Sequence, residues 1–195
     1  MININKVCVY CGSSEKCDPI YLEAANLLGK QLADNNIDIV FGGGSVGLMG
    51  KLADGALSKG GNVVGIMPDF MNELEWAHKG LTELRIVKTM HERKRMLIEG
   101  VDAIIVLPGG CGTFEEVFEA ITLKRLGIYL NPIVFVNIKG YFNFCLKLLD
   151  HCIEEHFMRE IHRNMWLSID QVEDVIEAVK KAYKWNANAR HFAIV

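Results

Sequence analysis

The chain has 195 residues, 50% apolar and 23% charged, enough to bury one substantial core and too few for two average domains, so residues 1–195 are expected to form a single domain. With 21 Lys and Arg against 24 Asp and Glu the formal charge is -3, and the longest like-charge run is Arg93-Lys94-Arg95, which excludes a nucleic-acid partner bound through bulk positive charge. The first residues have no apolar stretch of leader length, and no apolar run approaches the roughly 18 residues that cross a bilayer, so a cytoplasmic protein with no membrane partner is expected.

Short apolar runs alternate with longer stretches of helical period, the pattern of repeated strand–helix units and a parallel sheet. The first run, residues 7–10, leads into Cys11-Gly-Ser-Ser14 and then Asp18-Pro19, an N-cap with proline at the first helical position. Leu28 and Leu32 repeat at i+4 on the apolar face of that helix. Residues 37–41 form the second run and end in Gly42-Gly-Gly-Ser-Val-Gly-Leu-Met-Gly50; runs at 63–67 and 84–87 follow. Thr89-x-x-Glu92 reads as a capping box opening a helix that Gly100 is placed to end. The fifth run, 103–107, leads into Pro108-Gly-Gly-Cys-Gly-Thr113, with Thr113-x-x-Glu116 as a second capping box and Gly127 as the stop. A sixth run occupies 133–136, and a last helix is expected over about residues 171–184. Most runs are nearly continuous Val and Ile, as in strands buried on both faces. The expectation is an α/β fold: an open, doubly wound, mostly parallel sheet of six or seven strands flanked by helices. The six cysteines are scattered through a chain large enough to need no staples, so free thiols are expected.

In such sheets ligands bind outside the carboxyl ends of the strands, where the loops lead into helices. The three glycine-rich loops fall there. A glycine-rich turn entering a helix offers unpaired backbone N–H groups and the positive end of the helix dipole, a combination suited to phosphate. The loop at Gly42 matches G-x-G-x-x-G through Gly42, Gly44 and Gly47, with Asp69 some twenty residues on, which would suit a dinucleotide; tight turns and close helix packing would call for the same glycines. It fails as a phosphate-binding P-loop, because Leu52 follows Lys51 where Ser or Thr would hold magnesium. The sharper loop is at Pro108: Gly109, Gly110 and Gly112 remove side chains from three of four positions, and Thr113 adds a hydroxyl. Glu116 is i+3 from Thr113 and shares its helix face, either as its capping partner or standing over the phosphate loop. Arg93, at the start of another helix, can reach the strand ends and offers a bidentate fork, while Lys94 and Arg95 read equally well as solvated charge.

Other constellations carry less. Cys8-Val-Tyr-Cys11 lies in a strand, where i and i+3 face opposite ways, and no second pair exists for zinc, so no metal is expected. Phe135, Tyr141, Phe142 and Phe144 read as core or subunit contact. Met49, Met90 and Trp76 are core by default, or the lining of a base pocket.

Pro108-Gly-Gly-Cys-Gly-Thr-Phe-Glu-Glu116 resembles the P-G-G-x-G-T-x-x-E signature of the Lonely Guy (LOG) family, the cytokinin riboside 5′-monophosphate phosphoribohydrolases. The resemblance extends, in order, to Cys11-Gly-Ser-Ser14, to the loop 42–50, to Met90-His-Glu-Arg-Lys94 and to Gly140-Tyr-Phe142. It implies a Rossmann-like homodimer, working without a cofactor, that splits the N-glycosidic bond of a purine nucleoside 5′-monophosphate into free base and ribose 5-phosphate. By similarity Arg93 and Glu116 fall on the catalytic pair and Gly109, Gly110, Cys111, Gly112 and Thr113 on the phosphate loop, with Ser13, Gly43, Gly44, Met90 and Lys94 completing the substrate site. Cys111 departs from the aromatic residue more usual at that position, which bears on the pocket and its base. Many relatives carry a lysine decarboxylase label, for which the sequence offers no pyridoxal-phosphate lysine context. Two other classes fit part of the pattern: a non-catalytic nucleotide or cofactor carrier, and an NAD-dependent oxidoreductase resting on Gly42, Gly44, Gly47 and Asp69.

Overall fold

The computed structural model describes residues 4–72 and 76–192. In chain order the elements are β1 (Lys6–Tyr10), α1 (Pro19–Asp34), β2 (Asp38–Phe41), α2 (Gly47–Leu57), β3 (Val63–Pro68) and α3 (Asp69–Asn72). There follow β4 (Glu83–Val87), α4 (Met90–Ile98), β5 (Ala103–Val106), α5 (Cys111–Arg125), β6 (Ile133–Val136), α6 (Asn143–Glu154), β7 (Leu167–Ile169) and α7 (Val175–Lys181). The strands form one sheet in the order β4-β3-β2-β1-β5-β6-β7, every pair parallel. The fold is thus α/β and Rossmann-like, with seven strands.

The chain steps outward from β1 to β4, then returns to lay β5 on the other side of β1, with Val7 opposite Ala103. The helices change face at that return. Leu28 and Leu32 of α1, Leu52 and Ala56 of α2 and Val175 and Val179 of α7 pack on one side of the sheet. Leu97 of α4, Val117 and Ile121 of α5 and Leu149 and Ile153 of α6 pack on the other. A reversal of this kind opens a crevice at the carboxyl ends of the two strands beside it, here β1 and β5.

The buried strands match their Val/Ile runs, but β4 does not: Glu83, Arg85 and Ile86 are exposed and only Val87 is buried. It is the edge of the sheet, and the Arg85–Glu83 ion pair on it discourages further pairing. Helix signals are correct at α1, where Asp18 accepts from the Ile20 N–H, and at α4, where Thr89 accepts from the Glu92 N–H. Gly100 and Gly127 stand just past the caps of α4 and α5 in left-handed backbone, with φ of 67° and 71°. The capping box expected at Thr113 does not form. Gly110 takes the N-cap position with its backbone alone, so α5 starts before Thr113, and the Glu116 side chain turns to another partner. The expected helix over 171–184 is shorter: a 3-10 turn spans Val172–Asp174, α7 ends at Lys181, and Ala182 leaves the helix. That exit lets Trp185 bury itself and donate its indole N–H to the Lys124 carbonyl at 2.7 Å. Cys8 and Cys11 face opposite sides of the sheet, and all six cysteines are free.

Candidate active site

Three loops meet at the crevice and are locked by backbone contacts. The Gly12 N–H after β1 donates to the Pro108 carbonyl after β5 at 3.0 Å, and the Gly12 carbonyl accepts from the Met49 N–H of α2 at 3.3 Å. Gly47 has φ of 62°, and a Cβ there would stand 2.3 Å from the carbonyl carbon of Ser13, so only glycine lets the β2 loop pass under the exposed Ser13. The segment after β3 returns beside the same loop: the His78 N–H donates to Gly43 and the Trp76 carbonyl accepts from the Ser45 N–H, each at 2.9 Å. Gly44 thereby faces Ala77, and the Trp76 indole, like Met90 at the start of α4, is left exposed at the rim.

The β5 loop ends in a helix start that no side chain caps. Nothing lies within 4 Å of where a Cβ would stand on Gly110 or Gly112, and Cys111 between them is exposed. Gly109 is the opposite case, since a Cβ there would meet the buried Thr113 hydroxyl at 2.1 Å. Thr113 therefore buttresses the loop from inside, while the first turn of α5 presents N–H groups and the positive dipole end outward, as an anion requires.

One turn along α5 is Glu116. Its Oε1 accepts from Arg93 Nη1 at 2.7 Å, and both side chains are close to nine-tenths buried. Arg93 also donates from Nε to the carbonyl of Ile66, within β3, at 3.0 Å. Burial pushes the Glu116 carboxyl above its ordinary 4.5, and the guanidinium offsets part of that rise. The Glu116 charge in turn adds to the burial that raises the Cys11 thiol. Lys94, one residue along α4, is engaged elsewhere: its Nζ lies 2.5 Å from Glu115 and 2.7 Å from Glu119, so it braces α4 against α5.

The structure thus brings the loops of Ser13 and Gly44, Arg93, residues 109–113 and Glu116 together, leaves Gly43 against Gly65, Met67 and Leu84 and Met90 exposed at the start of α4, and turns Lys94 to the acids of α5. The Gly42 loop is explained by clearance: Gly42 makes room for the Arg93 guanidinium, Gly44 for Met49 and Gly47 for Ser13. Asp69 accepts from its neighbour's N–H at the start of α3. Phe135 and Phe142 are core, whereas Phe144 is 84% exposed. Tyr141, read from the sequence as packing, donates its hydroxyl to the Gly109 carbonyl at 2.7 Å. Its place in Gly140-Tyr-Phe142 was the available signal, but its long-range partner was not. Among the described residues no group of three His, Cys, Asp or Glu side chains is placed to hold a metal ion, and no helix is long and apolar enough to cross a membrane.

A protein-family model described as "Possible lysine decarboxylase" matches residues 49–179. A probable cytokinin riboside 5′-monophosphate phosphoribohydrolase of Oryza sativa subsp. japonica is 38% identical over 176 residues, covering 90% of this chain and 78% of that protein. A cytokinin riboside 5′-monophosphate phosphoribohydrolase of Arabidopsis thaliana is 37% identical over 176 residues, covering 90% and 81%. Among solved structures, the molybdenum cofactor carrier protein of Chlamydomonas reinhardtii superposes with a TM-score of 0.71 at 20% identity, covering 92% of this chain and 98% of that one. At that identity the likeness is one of fold.

Proposed function

The chain belongs to the LOG family of cytokinin riboside 5′-monophosphate phosphoribohydrolases, and from that premise we propose that it hydrolyses the N-glycosidic bond of purine nucleoside 5′-monophosphates carrying adenine or a cytokinin base. The observation that carries this reading is the buried Arg93–Glu116 pair at 2.7 Å, one turn from an uncapped helix start framed by Gly110 and Gly112. The 5′-phosphate docks on the N–H groups of residues 109–113, and Ser13, Gly43, Gly44 and Met90 line the rest of the site. Glu116, about 4.5 Å further along the helix axis than Thr113, then stands beside the sugar.

Loss of the base leaves positive charge on the ribose, as in glycoside hydrolysis. Glu116 stabilises that charge and accepts a proton from the attacking water. The water oxygen bonds to C1′, the C1′–N9 pair of electrons leaves with the base, and the base is protonated from solvent. Arg93 keeps Glu116 ionised where burial opposes its charge, and it fixes the carboxylate's direction. Phosphate binding, remote from the broken bond, holds C1′ against Glu116.

The label on the family model fits the crevice poorly, since its lysine, Lys94, is committed to Glu115 and Glu119. Action in the cytoplasm and as a homodimer belong to the same proposal; the exposed Phe144 and Leu148 on α6 support pairing of two copies.

The test is Glu116→Gln, assayed by chromatography of base release from AMP, isopentenyladenosine monophosphate, GMP and CMP. Turnover is expected to fall about 10²- to 10⁴-fold with ribose 5-phosphate still bound; near-normal turnover overturns the role. Binding of these nucleotides by the unaltered protein with no base released from any of them would favour the carrier reading.

A further inference from the structure

An anion loop works only if its carbonyl oxygens point away from the anion. Each of the three carbonyls from Pro108 to Gly110 has its own donor within the protein. Pro108 accepts from the Gly12 N–H at 3.0 Å and Gly110 from the Phe114 N–H at 3.1 Å, both backbone groups. Gly109 accepts from the only side chain in the set, the Tyr141 hydroxyl, at 2.7 Å.

That middle contact acts on the least constrained peptide in the loop. Glycine on both sides of a peptide leaves it nearly free to flip. Because the unit is planar and trans, its C=O and the following N–H point in opposite directions. A hydroxyl holding the Gly109 oxygen outward therefore turns the Gly110 N–H inward, toward the open space over Gly110 and Gly112.

Tyr141 is itself rigidly held. Lys139 and Gly140 before it adopt left-handed backbone, with φ of 54° and 71°. Asn137, buried at the end of β6, accepts from the Phe142 N–H at 2.7 Å and donates to Asn143 at 2.8 Å, which fixes this turn. The Tyr141 ring packs edge-on against Tyr21 of α1 at 5.6 Å and against Phe142 at 5.0 Å, and Phe142 packs in turn on Phe114 of α5.

We infer that Tyr141 is a positioning residue that locks the Gly109–Gly110 peptide with its N–H toward the substrate's 5′-phosphate. The inference rests on the phosphate site proposed above, but not on the hydrolytic step. Tyr141→Phe keeps the ring and removes only the donor. Measured by calorimetry, its dissociation constant for ribose 5-phosphate is expected to rise about 2- to 12-fold, the worth of one neutral hydrogen bond. The KM for a nucleoside monophosphate should rise by the same factor, with kcat within about twofold and kcat/KM for the unphosphorylated nucleoside unchanged. Unchanged ribose 5-phosphate binding, a loss falling on kcat, or an equal loss with the nucleoside would overturn it. If both proteins release no base while the variant still binds ribose 5-phosphate more weakly, the hydrolase reading fails and the role of Tyr141 stands. If the unaltered protein does not bind ribose 5-phosphate, the phosphate site and the role of Tyr141 fail together, and the hydrolase reading is then decided by base release alone.

Discussion

Gly42→Ala tests whether a glycine in the β2 loop serves the arginine of α4. A Cβ on Gly42 would stand 2.4 Å from Arg93 Nη2 and 3.2 Å from the sulfur of Met49. Non-bonded carbon and nitrogen settle near 3.5 Å, so Nη2 must retreat by about 1 Å. The guanidinium is a rigid planar fork, so the retreat carries Nη1 with it and stretches the 2.7 Å bond to Glu116 toward the limit of useful hydrogen bonding. The backbone itself is untroubled, because Gly42 does not have the left-handed φ of its neighbour Gly43. Gly→Ala at a compatible position stabilises by about 0.4–1 kcal/mol through the unfolded chain, which offsets much of the loosened contact. Tm should therefore stay within about 4 °C of the unaltered protein. A misplacement near 1 Å in the catalytic pair costs on the order of 10- to 100-fold in kcat/KM, about 1.4–2.7 kcal/mol of transition-state stabilisation. The assay is base release from AMP in a cycle of Gly42→Ala, Arg93→Ala and the double variant. With Arg93 absent only the flexible Met49 side chain has to yield, by a few tenths of an ångström, so the alanine at 42 should cost little more. Full activity in Gly42→Ala, or the same factor lost in both backgrounds, would refute the reasoning.

The remaining predictions concern charge. A carboxyl resonance missing from Glu116→Gln should titrate above 4.5 in the unaltered protein, because burial outweighs Arg93, and it should move higher in Arg93→Ala; a titration at or below 4.5 would contradict this. Lys124, 1% exposed, donates to the Asn131 carbonyl at 2.5 Å, and burial brings its amine down to about 7. Since this folded pKa lies below the ordinary 10.5, the unfolded chain binds more protons between those values, and stability contributed by this group rises as pH rises above about 7. Lys124→Met removes that slope: its advantage in Tm at pH 6.5 should shrink steadily by pH 8.5, and parallel Tm curves for the two proteins would exclude the effect.

Most of the fold is legible in the sequence because the signals are local. Runs of Val and Ile are buried strands, Asp18 and Thr89 are caps, and Gly100 and Gly127 are left-handed stops. What escapes local reading depends on tertiary context. Residues 84–87 are apolar enough for the interior yet end at the sheet edge, and β7, with three residues, is too short to announce itself. The start of α5 is misread because Ser and Thr dominate cap statistics, whereas Gly110 needs only its backbone. Helical spacing puts Glu116 near the phosphate loop. It cannot reveal that its partner lies 23 residues away on another helix, nor that Tyr141, 32 residues from Gly109, holds that loop.

Two different uses of glycine meet at the crevice, and only one concerns a ligand. Gly42, Gly47 and Gly109 are occupied space: a side chain there would strike Arg93, Ser13 or Thr113. Gly110 and Gly112 are open space, with nothing of the protein near them. A motif match counts both kinds alike, which is why the β2 loop looks like a dinucleotide fingerprint although its glycines face the protein. The distinction also accounts for the caps. Asp18 and Thr89 satisfy N–H groups at the starts of α1 and α4, whereas α2, α5, α6 and α7 begin with no side-chain cap, and of these four only α5 has glycines in open space at its start. With glycine at the N-cap, the missing side-chain bond forgoes only a few tenths of a kcal/mol of folding stability. Here the N–H groups a cap would have bound stay directed at the one place where the loop carbonyls have been turned away. The same exchange governs Glu116, whose charge is disfavoured by burial and held by Arg93. The site is therefore built from interactions the fold leaves incomplete, and a phosphorylated ribose has the charge and reach to complete both.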